Sequence, residues 1–417
     1  MALVLVDDKR SVDGVSMSDE LVPSTDPREL GGRLREARKA AGLTQELAAE
    51  ELGVARTTLL AIEKGERRIQ PPELVRLAGL YRRSVNELLR PGKAVSPFAV
   101  QLRSTLMNDE AVAREIQAPT LEFQQLCEDY FELERLCGAP LQKNYPPERA
   151  FPGTPPEAAG EDLAVRERLR LGLGDGPIPN LRLLLEQDVG LRVFYLGLPS
   201  DIAAMFSYDP QLGGCVVVNA KHLYERRRQS LAHEYAHFLT SRHRAEVTIM
   251  QRYSRRPDHE RLANAFARSF LVPADGVTRR VNEAKGAKGG RFTYADICTL
   301  AYYYGVSIEA FTKRLEDLKL VKSGAWQGLK NSNFKASEAR ALLGIAAPPA
   351  VDDLLPPRYR FLALDGFRDG KLTEGQLARF LRVDRLEARR IVDESSPIAG
   401  DADPPSAVSN GLDESVD

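Results

Sequence analysis

SLAHEYAHFLTS, Ser230 to Ser241, sets His233 and His237 four residues apart, with Glu234 directly after the first. The chain has five histidines, His222, His233, His237, His243 and His259, and all of them fall in this one neighbourhood. On an α-helix His237 lies about 40° round the axis from His233, and Glu234 about 100°. Leu231, Ala232, Tyr235, Ala236, Phe238 and Leu239 fill the opposite arc. The apolar face therefore points one way and both imidazoles the other, whereas a core histidine would sit within the apolar face. Two imidazoles one turn apart can reach the same zinc ion, and a glutamate beside them can take a proton from water.

A catalytic zinc needs a third protein ligand, and two candidates exist. HEYAHFLTSRH (His233–His243) puts His243 where a third histidine follows in the HExxHxxGxxH pattern. That pattern needs a glycine to turn the chain sharply, and Thr240 stands there instead. The other candidate is Glu260 in ERLANAFARSFLVP, which on a helix shares its face with Ala263, Asn264, Ala267 and Leu271. Small residues on that face let the helix approach the histidine helix closely, and Pro273 stops it. Glu260 is the favoured ligand.

AHEYAHFL, followed by E-x-x-A-N-x-F-A and FLVP, resembles the ImmA/IrrE family of metallopeptidases over roughly Val165 to Leu320. The resemblance implies a gluzincin-like α+β core with His233, His237 and Glu260 as zinc ligands and Glu234 as general base. It implies a zinc-bound water that loses its proton to Glu234 and attacks a peptide carbonyl, and a repressor of the helix-turn-helix type as protein substrate. Arg252 and Tyr253 are candidate donors to the oxyanion.

The N-terminal RLREARKAAGLTQELAAEELGVARTTLLAIEKGERR (Arg33–Arg68) alternates helical runs with glycine turns. Leu34, Ala37 and Ala41 mark the first apolar face, and Leu47, Ala48 and Leu52 the second. Thr44 is placed to cap the second helix, Gly53 to end it, and Ser84 with Glu87 to box a fifth. L-T-Q-x-x-L-A-x-x-L-G-V and I-E-x-G resemble the XRE/Cro-type helix-turn-helix. The resemblance implies that Gln45, Arg56, Thr57 and Thr58 face double-stranded operator DNA and that the protein works as a homodimer on two half-sites. Ala55 departs from the family, where serine caps the recognition helix; its absence weakens that helix start by about 1 kcal/mol. Gly31 to Arg90 carries twelve Lys and Arg against eight Glu, the sign that phosphate binding needs.

The net charge of −1 selects no partner, so nucleic-acid affinity must be local. Four cysteines without a CxxC pair suit a reduced, cytoplasmic protein. MALVLVDDKR is too short an apolar start for a secretory signal, and no run approaches the ~18 apolar residues of a membrane helix. The expected organisation is a disordered tail (1–28), a helix-turn-helix domain (29–92) and a helical connector with a Pro-rich linker (93–162). A metallopeptidase domain (163–325), a helical C-terminal module (326–396) and a disordered acidic tail (397–417) follow. Within this frame Gly190–Leu196 is a strand, Ile202–Ala220 an antiparallel hairpin, and ERRRQS (Glu225–Ser230) a solvated basic face. Phe292–Leu318 is a capped helix pair, and Leu372–Arg390 echoes Leu43–Thr58 with Arg382 at the glycine turn. Tyr302, Tyr303, Tyr304 and Trp326 belong to core or pocket wall. The fold class is α+β and helix-rich, with all-α ends.

The function that follows is a DNA-binding transcriptional regulator with a zinc-dependent endopeptidase domain. The competing reading is a non-catalytic regulator, or an antitoxin-like protein, whose metal-binding fold serves sensing or partner binding.

Overall fold

In the computed structural model the described residues are 26–81, 83, 85–89, 98, 102, 114–249, 257–331, 335–346 and 354–395. Most of both expected tails, the Ser84 cap, Arg252 and Tyr253 lie outside them. The chain is helix-rich, with one small mixed sheet.

Five helices form the N-terminal unit: α1 (Pro27–Ala40), α2 (Gln45–Leu52), α3 (Arg56–Glu63), α4 (Pro71–Leu80) and α5 (Val85–Leu89). Helix α1 begins earlier than the polar composition suggests, because Asp26 caps it and Pro27 occupies its first turn. Thr44 caps α2 by accepting from Leu47 N, and Gly53 ends it at φ 76°. Leu34, Ala48, Leu52, Leu59, Ile62 and Leu77 make a core of their own. Leu47 is the exception to the expected apolar face, exposed on the far side of α2.

The sheet has strands β1 (Arg192–Leu196), β2 (Ile202–Asp209), β3 (Gly213–Asn219) and β4 (Glu246–Ile249) in the order β1-β3-β2-β4. β1 runs parallel to β3; β2 runs antiparallel to both β3 and β4. Its two faces belong to different cores. Val193, Ala204, Phe206, Val216 and Val218 face one, and Phe194, Met205, Cys215 and Val217 the other, as the period of two requires. A register shift between Ile202 and Ala204 turns Ile202 to the face opposite Ala204. With both faces covered, the strands read as unbroken apolar runs.

Against the first face pack α7 (Pro156–Arg170), α9 (Tyr224–Ser241) and α10 (Asp258–Leu271). A short helix, α8 (Leu181–Leu184), runs into a π turn ahead of β1. Beyond α10 come α11 (Ala274–Ala287), α12 (Tyr294–Tyr304), α13 (Ile308–Asp317), α14 (Ala325–Asn331) and α15 (Ala336–Leu342). Against the second face pack α6 (Gln117–Cys137), α16 (Pro357–Arg368), α17 (Glu374–Leu381) and α18 (Arg385–Glu394). Helices from the expected connector and from the expected C-terminal module thus share one core on the sheet.

Two local readings change. The proline-rich stretch after Lys143 is pinned across the strand ends: Tyr145 hydroxyl donates to Gly190 O and accepts from Gly214 N, and Arg149 N donates to Leu239 O. The basic run of α9 is solvated only at Arg226. Arg227 and Arg228 are buried and donate to the carbonyls of His222 and Ile178. The aromatics stand as expected: Tyr304 is core, Trp326 packs against that core, and Tyr302 and Tyr303, though partly exposed, line a pocket beside Tyr224 and Arg228.

Helix α7 touches α10 backbone to backbone through Gly160, where a Cβ would stand 2.5 Å from Leu262 O and 2.8 Å from Ala265 Cβ. Gly160→Ala should therefore destabilise the protein by about 1–3 kcal/mol. Gly32→Ala, in open space on α1, should stabilise by about 0.4–1 kcal/mol. Urea denaturation of the two variants checks both signs.

Candidate metal centre and DNA-facing helix

Helix α9 is buried along most of its length, so its histidine face is not open to solvent as the amphipathic pattern implies; α10 and β4 cover it. His233 Nε2 and His237 Nε2 lie 3.0 Å apart. Glu260, in the first turn of α10, brings Oε2 to 3.4 Å from His233 Nε2 and Oε1 to 3.2 Å from His237 Nε2. Ligands of a tetrahedral ion with bonds of about 2.0–2.1 Å stand about 3.3 Å apart. Each imidazole nitrogen thus stands at about that spacing from one Glu260 oxygen, and the three residues form a group able to hold a metal. Buried Ala263 and Ala267 make the close approach of α10 possible.

The electrostatics suit a cation. Burial pushes His237 down to about 4, so its imidazole is neutral at physiological pH with a lone pair to give. Burial alone would raise the Glu260 carboxyl, but the hydrogen bonds and charge of His233 and His237 outweigh it and hold the group ionised. Glu234 is fully buried, and burial pushes it up to about 7. Thr248 hydroxyl donates to its Oε1, while Oε2 has no hydrogen-bond partner among the described residues.

The other histidines stand differently. Helix α9 continues past Thr240, whose hydroxyl donates back to Ala236 O, so the chain makes no sharp turn after His237. His243 is left exposed beyond the helix end, its ring edge-on to Tyr208, and outside the group. His222 bonds Ser200 O across a loop. His259 lies beside Glu260, with Nε2 3.8 Å from Oε1. Two residues that the sequence did not single out also face the centre, Thr248 and Glu246 of β4. Their only signal is the alternation Glu-Val-Thr-Ile, four residues long.

In the N-terminal unit the start of α3 presents Arg56 and Thr57 to solvent, with Thr58 half-buried. Ala55 supplies no side-chain cap. Arg56 pairs with Glu46 at 3.4 Å, an exposed contact worth little. Gln45 is less free: its amide donates to Glu63 Oε2, which is already bound by Arg38. The buried Arg38–Glu63 pair, 2.6 Å, locks α1 to α3 and fixes the pitch at which α3 is presented.

Residues 186–316 match the family profile described as IrrE N-terminal-like domain, a peptidase family, and residues 34–88 match that described as Helix-turn-helix. No curated protein matches the chain. Among solved structures, ComR from Streptococcus suis is similar at 11% identity, covering 88% of this chain and 87% of that one, with a TM-score of 0.15. The apo form of ComR from S. thermophilus is similar at 12% identity, covering 76% of this chain and 95% of that one, also at 0.15. At those scores neither carries an argument.

Purified protein should bind zinc tightly through this group. His237→Ala and Glu260→Ala should each remove that tight binding, and His243→Ala should leave it unchanged, as read by equilibrium titration against a chromogenic chelator.

Proposed function

We propose that this chain, which carries a helix-turn-helix domain of the XRE type and an IrrE N-terminal-like peptidase domain, is a DNA-binding transcriptional regulator that cleaves a partner protein. The observation that carries the reading is the division of labour around α9. His233, His237 and Glu260 suffice as ligands, which leaves Glu234 as a buried carboxyl beside them, held through Oε1 by the Thr248 hydroxyl.

A zinc ion held by these three residues would supply a Lewis acid that acidifies water and polarises a peptide carbonyl. Glu234 is placed to take the proton. Thr248 fixes its Oε1, so Oε2 is the oxygen left to receive it. Its elevated pKa matches a base working near neutrality. Strand β4, which carries Thr248, lies at one end of the strand order, so an extended polypeptide can add alongside it. That favours an endopeptidase acting on a loop or linker. A helix-turn-helix repressor is the substrate we assign, in keeping with the family resemblance.

The N-terminal unit brings the enzyme to double-stranded operator DNA, with Arg56, Thr57 and Thr58 at base edges and Gln45 at the flank of the reading surface. Two half-sites read by a homodimer complete the arrangement. Among the described residues no helix is long and apolar enough to cross a membrane; we place the protein in the cytoplasm.

Glu234→Gln keeps size and hydrogen-bonding reach but cannot act as the base. The variant should retain zinc and operator binding while cleavage of candidate helix-turn-helix repressors from the same genome falls by roughly 10²–10⁴-fold. Full complementation of a deletion by this variant would remove catalysis and leave a regulator whose metal fold senses.

Arg56→Ala should weaken specific operator binding by about 1–3 kcal/mol and relax specificity at one position. Equal loss on unrelated DNA, in a salt-dependent titration, would make Arg56 a phosphate contact instead.

A further inference from the structure

Beside the three-ligand group stands a second set of donors that the proposed reaction does not use. Glu246 of β4, His259 and Glu260 bring three ligating atoms within 4.8 Å of one another. Glu246 is 7% exposed, and its Oε1 accepts no hydrogen bond from the described residues. Its counter-charge is the Arg244 guanidinium, with Nε 3.0 Å away as an ion pair only; that arginine side chain is 59% exposed and can leave for solvent. The His259 ring centre lies 6.0 Å from that of His237, so the two donor sets flank Glu260.

We infer that Glu246, His259 and Glu260 form a second, weaker divalent-cation site that shares Glu260 with the His233–His237 centre. It would take a zinc-class ion: one imidazole with two carboxylates is a borderline-to-hard donor set that suits zinc, manganese or cobalt. A cationic substrate side chain is the other conceivable guest, but an imidazole lone pair adds little to binding an ammonium, whereas it is a principal ligand of these metals. Two ligands on opposite sides of an ion with bonds of about 2.1 Å lie about 4.2 Å apart. In this set His259 Nε2 stands 3.8 Å from Glu260 Oε1, wider than the 3.0 to 3.4 Å of the first set. That difference makes the second site the weaker. Sites of this kind hold ions about 3.5–4 Å apart across a shared carboxylate. Filling the second site releases Arg244 from Glu246 and draws on the carboxylate that the first ion also needs. Excess zinc would in this way loosen the first ion's third ligand.

The inference rests on the metal reading above only through Glu260, and one titration separates the two. Full-length apo-protein is titrated with zinc chloride against chelators of graded strength. The wild type should take one tight ion and a second, weaker one. Glu246→Gln and His259→Ala should each keep the tight ion and lose the weaker, Arg244→Ala should tighten the weaker, and His237→Ala should lose the tight one. A wild type that binds one ion, lost in His237→Ala, overturns the second site and leaves the first standing. Absence of any tight ion overturns both. A second ion that survives both Glu246→Gln and His259→Ala binds elsewhere and also overturns it. So does a Glu246→Gln variant with unchanged stoichiometry but altered preference for lysine or arginine in the substrate, which would make Glu246 a reader of cationic side chains.

Discussion

A helix buried on nearly every side cannot leave its polar groups to water, and the body of this protein is arranged around that requirement on α9. At its N-terminal end Arg227 and Arg228 satisfy loop carbonyls. In the middle the Tyr235 hydroxyl is held by Glu167 of α7, which Arg170 neutralises. On the opposite face, two residues to either side of Tyr235, the histidines meet Glu260 of α10. At the C-terminal end Arg242 donates to Pro146 O of the proline-rich strap and lies over the Phe238 ring. Each neighbour of α9 therefore brings a partner for one of its polar side chains. At the candidate metal centre the partners are all Lewis bases, and only a proton or a cation can reconcile them.

The other face of the sheet solves the same problem with ions. Arg192 of β1 and Glu134 of α6 pair at 2.7 Å, both buried, and Arg358 of α16 adds a second cation at 3.4 Å. Tyr130 of α6 donates to Glu186 beside them. Such a network contributes less to stability than an apolar core of equal size, but losing one member strands the rest, so it dictates which helices must be present. Two segments far apart in sequence join here: α6 and α16 come together on β1 because neither can leave its half of this cluster uncovered.

What was legible in the sequence follows from the range of the forces involved. Caps, glycine turns, the hairpin and the histidine face are set within a few residues, and Thr44, Gly53, Thr293 and Ser307 act as their positions suggest. Glu260 was legible because small residues on its face encode a close helix contact. Strand β4 was not, since four residues hold too little alternation to register. Arg227 and Arg228 read otherwise in the sequence because charge normally marks a solvated face, and nothing local shows that Arg227 folds back on His222 O or that Arg228 reaches Ile178 O, fifty residues earlier. The packing of α16–α18 on α6 was equally hidden: an amphipathic pattern says that a face is covered without saying by what.

The chain repeats one local design three times, and comparing the copies shows why one of them is fit for DNA. In α2–α3, α12–α13 and α17–α18 a threonine caps the first helix and a left-handed residue ends it, Gly53, Gly305 or Arg382. The second helix then starts differently. Ser307 caps α13 and Asp384 caps α18, each accepting a backbone N–H of the first turn. A phosphate approaching α18 would meet a carboxylate already seated at the positive end of the helix, and the exposed arginines behind it, Arg389 and Arg390, are matched by Glu374 and Glu387. At α3 the capping position is Ala55, so the first-turn N–H groups have no side-chain acceptor and a phosphate oxygen can take that role. The missing serine costs α3 some stability on its own, but it leaves the helix start open to an anion, and Arg38–Glu63 holds that start in place from behind.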